Sequence, residues 1–311
     1  MTNPEPLRLQ LAGYSPAHST HGRALDRIAQ EFRDRYEDGV AIEIDYNVMD
    51  RGHQAQVLLE DVEAGRTTLC FFSTSYLVGR VPEMGIIDLP FVFSSLGEAH
   101  AALDGALGAA LSDRTRQATE LVPLGYWDNG FRHISNRSRE VRGPADCRGL
   151  RIRLQPNWIH EEFFRALGAE PKCTDLSEGI AMLKSGELDA QENPLANVVA
   201  YGLEQVHKHV TLTGHVYGAR GVYASARQLE RWPEEARALL EDAVAAAIEQ
   251  QRAEAERAEL ELRESLTNGG TVILELQDDQ RTAFRAVAAP VVAKARAQYG
   301  EELWGLLEVP S

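Results

Sequence analysis

The chain alternates short aliphatic runs with helix-length stretches of amphipathic character. Leu7 to Leu11 and Ala41 to Tyr46 have strand character and flank a helical segment from about His21 to Tyr36. Further strand-like runs are Thr68 to Phe72, Leu121 to Tyr126, Arg132 to Ser135, Leu150 to Leu154, Val210 to Thr213, Val222 to Ser225 and Val272 to Leu276. Strands interleaved with helical segments predict an α/β architecture. No internal repeat or low-complexity linker interrupts the pattern.

Pro233 to Leu266 predicts one long helix. It has proline and acids in its first turn, almost no interior breaker, and Asn268-Gly269-Gly270 at its end. At 1.5 Å per residue it extends for about 50 Å, more than a small domain's diameter. Leu239, Leu240, Val244, Ala247 and Ile248 mark its buried face, whereas Gln250 to Arg257 is mostly charged or alanine.

A chain of 311 residues can form one large domain or two of ordinary size, and the reading here is two. Hydrophobic and charged shares of 44% and 25% are ordinary for a globular protein, and no window approaches a membrane span. The net charge of −15 argues against a nucleic-acid surface and against general attraction of an anion, which leaves any such attraction to locally placed arginines. Cys70, Cys147 and Cys173 are too few and scattered for a disulfide framework or a zinc site. The start, Met1-Thr2-Asn3-Pro4-Glu5-Pro6, lacks the basic and apolar regions of a secretory leader.

Chemistry is concentrated in Gly149-Leu150-Arg151-Ile152-Arg153-Leu154 and Asp189-Ala190-Gln191-Glu192-Asn193-Pro194-Leu195. An arginine closing a short strand presents an always-charged fork to a carboxylate, and an asparagine adds a neutral hydrogen bond. Neither His18-Ser19-Thr20-His21 nor His207-Lys208-His209 has metalloprotease spacing, and there is no nucleophile elbow, phosphate-binding loop or dinucleotide fingerprint. No catalytic residue, metal or cofactor is expected. A Cys-His dyad assembled only in space is a competing idea.

In order and spacing these two segments resemble the solute-binding subunit of tripartite ATP-independent periplasmic (TRAP) transporters. Asn129-Gly130-Phe131-Arg132-His133-Ile134-Ser135-Asn136 and Pro144-Ala145-Asp146-Cys147-Arg148-Gly149-Leu150 are similar to that family's "G-x-R-x-x-x-N … P-x-D-x-K-G-L-K-x-R" block. Leu89-Pro90-Phe91-Val92-Phe93 and Leu103-Asp104-Gly105-Ala106-Leu107-Gly108 resemble its "LPF-x-F … LDG-x-x-G" stretch. The resemblance implies a two-lobed periplasmic-binding-protein-like fold, a ligand cleft between lobes that closes on the ligand, and a long spine helix contacting both. Lobe one is then 1–127 plus 216–254, and lobe two 128–215 plus 255–311.

The resemblance makes Arg153 the carboxylate partner and Asn193 a neutral donor, with Ala190 replacing the usual glycine of "D-G-Q-E-N-P". Arg132 holds either a second ligand oxygen or a structural salt bridge across the lobe interface. Arg151 is expected on the opposite strand face from Arg153 and to be dispensable. Trp158, Tyr217, Phe72 and Leu176 are implied as pocket walls, and Ser73 stands where some sugar-acid-binding relatives carry an acid. Tyr14, His18 and Gln54 are weaker candidates from the first lobe. The resemblance implies a periplasmic monomer that delivers a small organic acid to membrane permease subunits, with its leader removed. An apolar or aromatic monocarboxylate is favoured. A carboxylate-sensing module and an α/β enzyme acting on a carboxylate are the alternatives.

Overall fold

The computed structural model describes residues 6–307. Its strands are β1 (Leu7–Ala12), β2 (Val40–Asp45), β3 (Leu69–Ser73), β4 (Leu121–Asn136), β5 (Arg151–Leu154), β6 (Glu170–Cys173), β7 (Ala190–Asn193), β8 (His209–Ser225) and β9 (Val272–Glu275). Its helices are α1 (Thr20–Tyr36), α2 (Val57–Glu63), α3 (Leu96–Asp104), α4 (Ala106–Ala118), α5 (Trp158–Ala166), α6 (Leu176–Ser185), α7 (Leu195–Ala200), α8 (Ala226–Leu229), α9 (Glu234–Asn268) and α10 (Asp278–Gly305). The alternation gives the α/β architecture expected.

The chain divides into two compact units. Unit one comprises residues up to Phe72, Ser112–Asp128 and Arg220–Ala255; unit two comprises Ser73–Leu111, Asn129–Ala219 and the chain from Glu256. Residues 73–111, assigned from the resemblance to lobe one, count here with unit two. The strands β4 and β8 and the helix α9 each contribute residues to both units.

In unit one, β1 lies between β2 and β3, parallel to both, with Leu7 beside Val40 and Leu11 beside Leu69. Helix α1 begins where the Ser19 hydroxyl accepts the Gly22 N–H. It buries Ala24, Leu25, Ile28, Ala29 and Phe32, the stripe its periodicity predicts. Helix α9 buries Leu240, Val244 and Ala247, while Leu239 and Ile248 are half-buried.

Two pairs of expected strands are fused. Leu121 to Tyr126 and Arg132 to Ser135 belong to β4, and Val210 to Thr213 and Val222 to Ser225 to β8. Asp128-Asn129-Gly130 reads locally as a turn, but the Asp128 backbone is already engaged. Its N–H donates to Gln251 Oε1 (2.9 Å), and its carbonyl accepts from Gln251 Nε2 (2.8 Å) and lies 2.9 Å from His21 Nε2. A backbone so satisfied has no need of a turn.

In unit two, β7 lies between β4 and β5, antiparallel to the former and parallel to the latter, with β6 outside β5. Ile134, Ile152, Leu154 and Ala190 pack with Phe163 and Phe164 of α5 and Phe284 and Ala288 of α10. Met182 and Leu183 of α6 form a second cluster with Val198 of α7. Side-chain alternation thus gives each sheet face its own helices, and it decides which polar groups of these strands can meet.

Candidate ligand-binding site

Arg153 pairs in register with Lys172 on β6 and Gln191 on β7, near the carboxyl end of β5, where open parallel sheets bind ligands. The side chain is 2% exposed. Its Nη2 donates to the Tyr76 hydroxyl (2.9 Å) and the Thr174 carbonyl (3.0 Å), and its Nε to Thr174 Oγ1 (3.3 Å). Room for this side chain comes from Gly179 in α6. A Cβ there would lie 2.7 Å from both Arg153 Nε and Thr174 Oγ1. Among the described residues no carboxylate pairs with Arg153. A buried cation held only by neutral oxygens is an electrostatically incomplete site.

Beside it runs a relay of amides. Asn197 Nδ2 donates to Asn193 Oδ1 (3.0 Å) and Asn129 Oδ1 (3.2 Å), and Asn193 Nδ2 donates to Gln191 Oε1 (2.8 Å). Gln155 Nε2 donates to the Ser73 hydroxyl (3.2 Å). Ser73 and Tyr76 belong to one short segment, so Arg153 and Gln155 reach the same place from the end of β5.

Arg132 lies on the other face. Ser135 pairs with Gln191 and Ile134 with Glu192, so alternation sends Arg132 to the Glu192 side and leaves Arg153, Gln191 and Asn193 opposite. The Arg132 fork is filled by Glu192. Nη2 donates to Oε1 and to the backbone carbonyl, both at 2.7 Å, and Nε bonds Oε2. Arg132 and Glu192 thus form a buried ion pair inside unit two, on the sheet face opposite Arg153.

Burial pushes the Glu192 carboxyl up, but Arg132 and the nearby His215 outweigh it and hold the group well below the usual carboxylate range. His160 sits between two carboxylates, 3.8 Å from Asp88 and 3.9 Å from Glu192, and burial lowers it to about 3. Burial raises Asp88 to about 7, against the pull of hydrogen bonds from Ser75 (2.8 Å) and Asn157 (2.7 Å) and of Arg132.

Arg151 differs from the expectation that it lies on the opposite strand face. Residues two apart in a strand share a face, so Arg151 is not turned away from Arg153. The two differ in depth. Arg151 is exposed at the start of β5 and forms a two-pronged pair with Asp189 (2.7 and 2.6 Å).

The aromatic candidates each have packing partners of their own. Phe72 is buried against Tyr14, with ring centroids 5.2 Å apart. Tyr217 is buried among Phe93, His100 and Phe131. Trp158, at the start of α5, is half-buried with Lys294 Nζ 4.9 Å from its ring centroid. Leu176 is buried in the first turn of α6, near Thr174. In unit one, Tyr14 is buried beneath the Arg220 guanidinium (4.6 Å), which donates to the Ser15 hydroxyl (2.9 Å), while His18 and Gln54 are exposed.

Arg220, Tyr76, Thr174, Gly179, Gln155 and Gln191 escaped the sequence reading. For the glutamines a signal existed: each stands two positions from a candidate, Gln155 after Arg153 and Gln191 before Asn193, and so shares its side of an extended chain. Of the paired histidines, His21 bonds the Asp128 backbone and His207 lies 2.9 Å from Ser135 Oγ. Among the described residues no cluster of His, Cys, Asp and Glu is arranged to hold a metal, and no helix is long and apolar enough to cross a membrane.

Residues 11–298 match the family described as bacterial extracellular solute-binding protein, family 7. A solute-binding protein of Verminephrobacter eiseniae is 31% identical over 288 residues, covering 92% of this chain and 84% of its own. Among solved structures, a TRAP periplasmic solute-binding protein of Polaromonas, bound to D-erythronate, superposes with a TM-score of 0.91 at 27% identity, covering 98% of this chain and 99% of its own. The sugar acid binding protein of Advenella mimigardefordensis, in complex with galactonate, gives 0.91 at 26% identity and 98% coverage of both chains.

Proposed function

The chain belongs to the family 7 bacterial extracellular solute-binding proteins, which are binding proteins and not enzymes, and we propose that it captures a small organic acid through Arg153. It releases the unaltered acid in the periplasm to the membrane permease of a TRAP transporter. The observation that carries the reading is the buried Arg153 guanidinium held by Thr174 and Tyr76, without a carboxylate partner among the described residues. A ligand carboxylate supplies that charge. Arg151 and Arg132 already have theirs in Asp189 and Glu192.

A charge-assisted hydrogen bond contributes about 1.5 to 3 kcal/mol, whereas micromolar affinity needs about 8 kcal/mol. The body of the ligand must therefore be gripped as well. An apolar or aromatic body is supported by Leu176 and the half-buried Trp158. It is weakened by the packing of Phe72 and Tyr217 within their own units. The acids named for related structures, D-erythronate and galactonate, favour a hydroxylated aliphatic body.

Titration calorimetry with D-erythronate, galactonate, succinate and phenylacetate tests the reading. Arg153→Ala is expected to lose binding while its circular dichroism is unchanged, and Arg153→Lys to recover little, because a point charge does not replace a planar fork. Arg151→Ala is expected to bind like the parent. Near-parental affinity in Arg153→Ala would overturn the assignment.

A further inference from the structure

Two buried side-chain atoms beside Arg153 have no hydrogen-bond partner among the described residues: Gln155 Oε1 and Gln191 Nε2. Their residues are 6% and 1% exposed, so both atoms are shut off from bulk solvent. An unmet buried polar group is destabilising, and an unmet group near a binding site is one that a ligand can complete.

The hydrogen-bond network assigns a direction to each group. Along the relay, Asn197 donates to Asn193 and Asn193 to the carbonyl of Gln191, so the amide NH2 of Gln191 is left over as a donor. Gln155 donates its NH2 to Ser73, which leaves its carbonyl as an acceptor. Gln191 is the in-register neighbour of Arg153 on β7. Gln155 follows Arg153 by two residues and reaches the segment that also meets the Arg153 guanidinium. One donor and one acceptor therefore flank the cation on its own side of the sheet.

We propose that Gln155 and Gln191 are specificity-determining residues that select an acid carrying hydroxyl groups on its carbon chain. The Gln155 carbonyl accepts from a ligand hydroxyl, and the Gln191 amide donates to a ligand oxygen close to the carboxylate. An unsubstituted chain leaves both atoms unmet. This is the kind of site that rejects analogues lacking the hydroxyl far more strongly than a merely apolar pocket does. The proposal rests on the reading of Arg153 as the carboxylate anchor.

Calorimetry with D-erythronate and galactonate, set against butyrate and hexanoate, tests it. The parent protein is expected to bind at least one hydroxylated acid tenfold or more tightly than its unsubstituted counterpart. Gln155→Met and Gln191→Met, which keep length and bulk, are expected to lose tenfold or more for the hydroxylated acid and to stay within threefold for the unsubstituted one. Arg153→Ala is expected to lose both. If the parent prefers the unsubstituted acids, the glutamine assignment fails while the carboxylate anchor stands, and this comparison needs no variant to fold. If folded glutamine variants lose both acids equally, or keep the parental preference, the assignment fails in the same way. If no acid binds the parent, the assignment and the anchor fall together.

Discussion

Gly179 shapes the candidate site by what it lacks. Its missing Cβ leaves the channel through which Arg153 passes to Tyr76 and Thr174. A Cβ would meet Thr174 Oγ1 and also Arg153 Nε and Cγ, in the middle of the side chain, so the guanidinium must shift if one is added. Gly179→Ala is expected to weaken acid binding at least tenfold. Alanine gains about 0.5 to 1 kcal/mol over glycine inside a helix, which offsets part of the crowding, so the melting temperature should change little. Calorimetry paired with thermal denaturation checks both halves. Arg153 was singled out in the sequence because the block around it is distinctive. Gly179 was not, since its role depends on α6 lying over that side chain.

Across β4 and β7 the Arg132–Glu192 pair joins two strands at the level where Ile134 pairs with Glu192. Removing one partner leaves a buried charge, at a cost of about 3 to 5 kcal/mol, whereas removing both can be nearly neutral. Arg132→Met is therefore expected to lose roughly that much in urea unfolding, and the double variant Arg132→Met/Glu192→Met to regain most of it. The double variant should keep its acid affinity. Loss of binding without loss of stability in Arg132→Met would instead make Arg132 a ligand contact. The fused strands teach a similar lesson about elements. At Asn129-Gly130 two expected strands run on as one, and the side chain of Gln251, remote in sequence, bonds the adjoining extended backbone.

Over the molecule as a whole, buried ionisable groups set the response to pH. His21, His160, His207 and His215 are held neutral mainly by burial, with His207 near 4, His160 near 3 and the other two below 6.5. Below 6.5 the unfolded chain takes up protons that these folded imidazoles refuse, so their contribution to stability is present above 6.5 and lost on acidification. Glu192, depressed in the fold, acts in the same direction below its ordinary 4.5. Asp88 acts oppositely: raised from 3.8 to about 7, it favours the fold at low pH and loses that contribution as pH rises to 7. The histidines outnumber it. Stability in urea is thus expected to rise from pH 4 to 6.5. Asp88→Asn should steepen the rise, by up to about 1.4 kcal/mol per pH unit relative to the parent. A parent curve that falls across this range would refute the assignment of neutral buried histidines.

Sequence by itself determined the α/β alternation, the long α9 and the family resemblance. Helical and strand periodicities are local, and the Arg153 and Asn193 motifs are contiguous. The residues alone, apart from that resemblance, could not decide which arginine remains available to an anion. Arg132, Arg151 and Arg153 look alike along the chain. Arg132 finds Glu192 at a separation of 60 residues and Arg151 finds Asp189 at 38, while Arg153 finds neutral oxygens of Thr174 and Tyr76. Those partners follow from strand register and from which helix covers which face. Register is a property of the assembled sheet, so only the tertiary structure could assign the unpaired charge to Arg153 and set the unmet amides of Gln155 and Gln191 beside it.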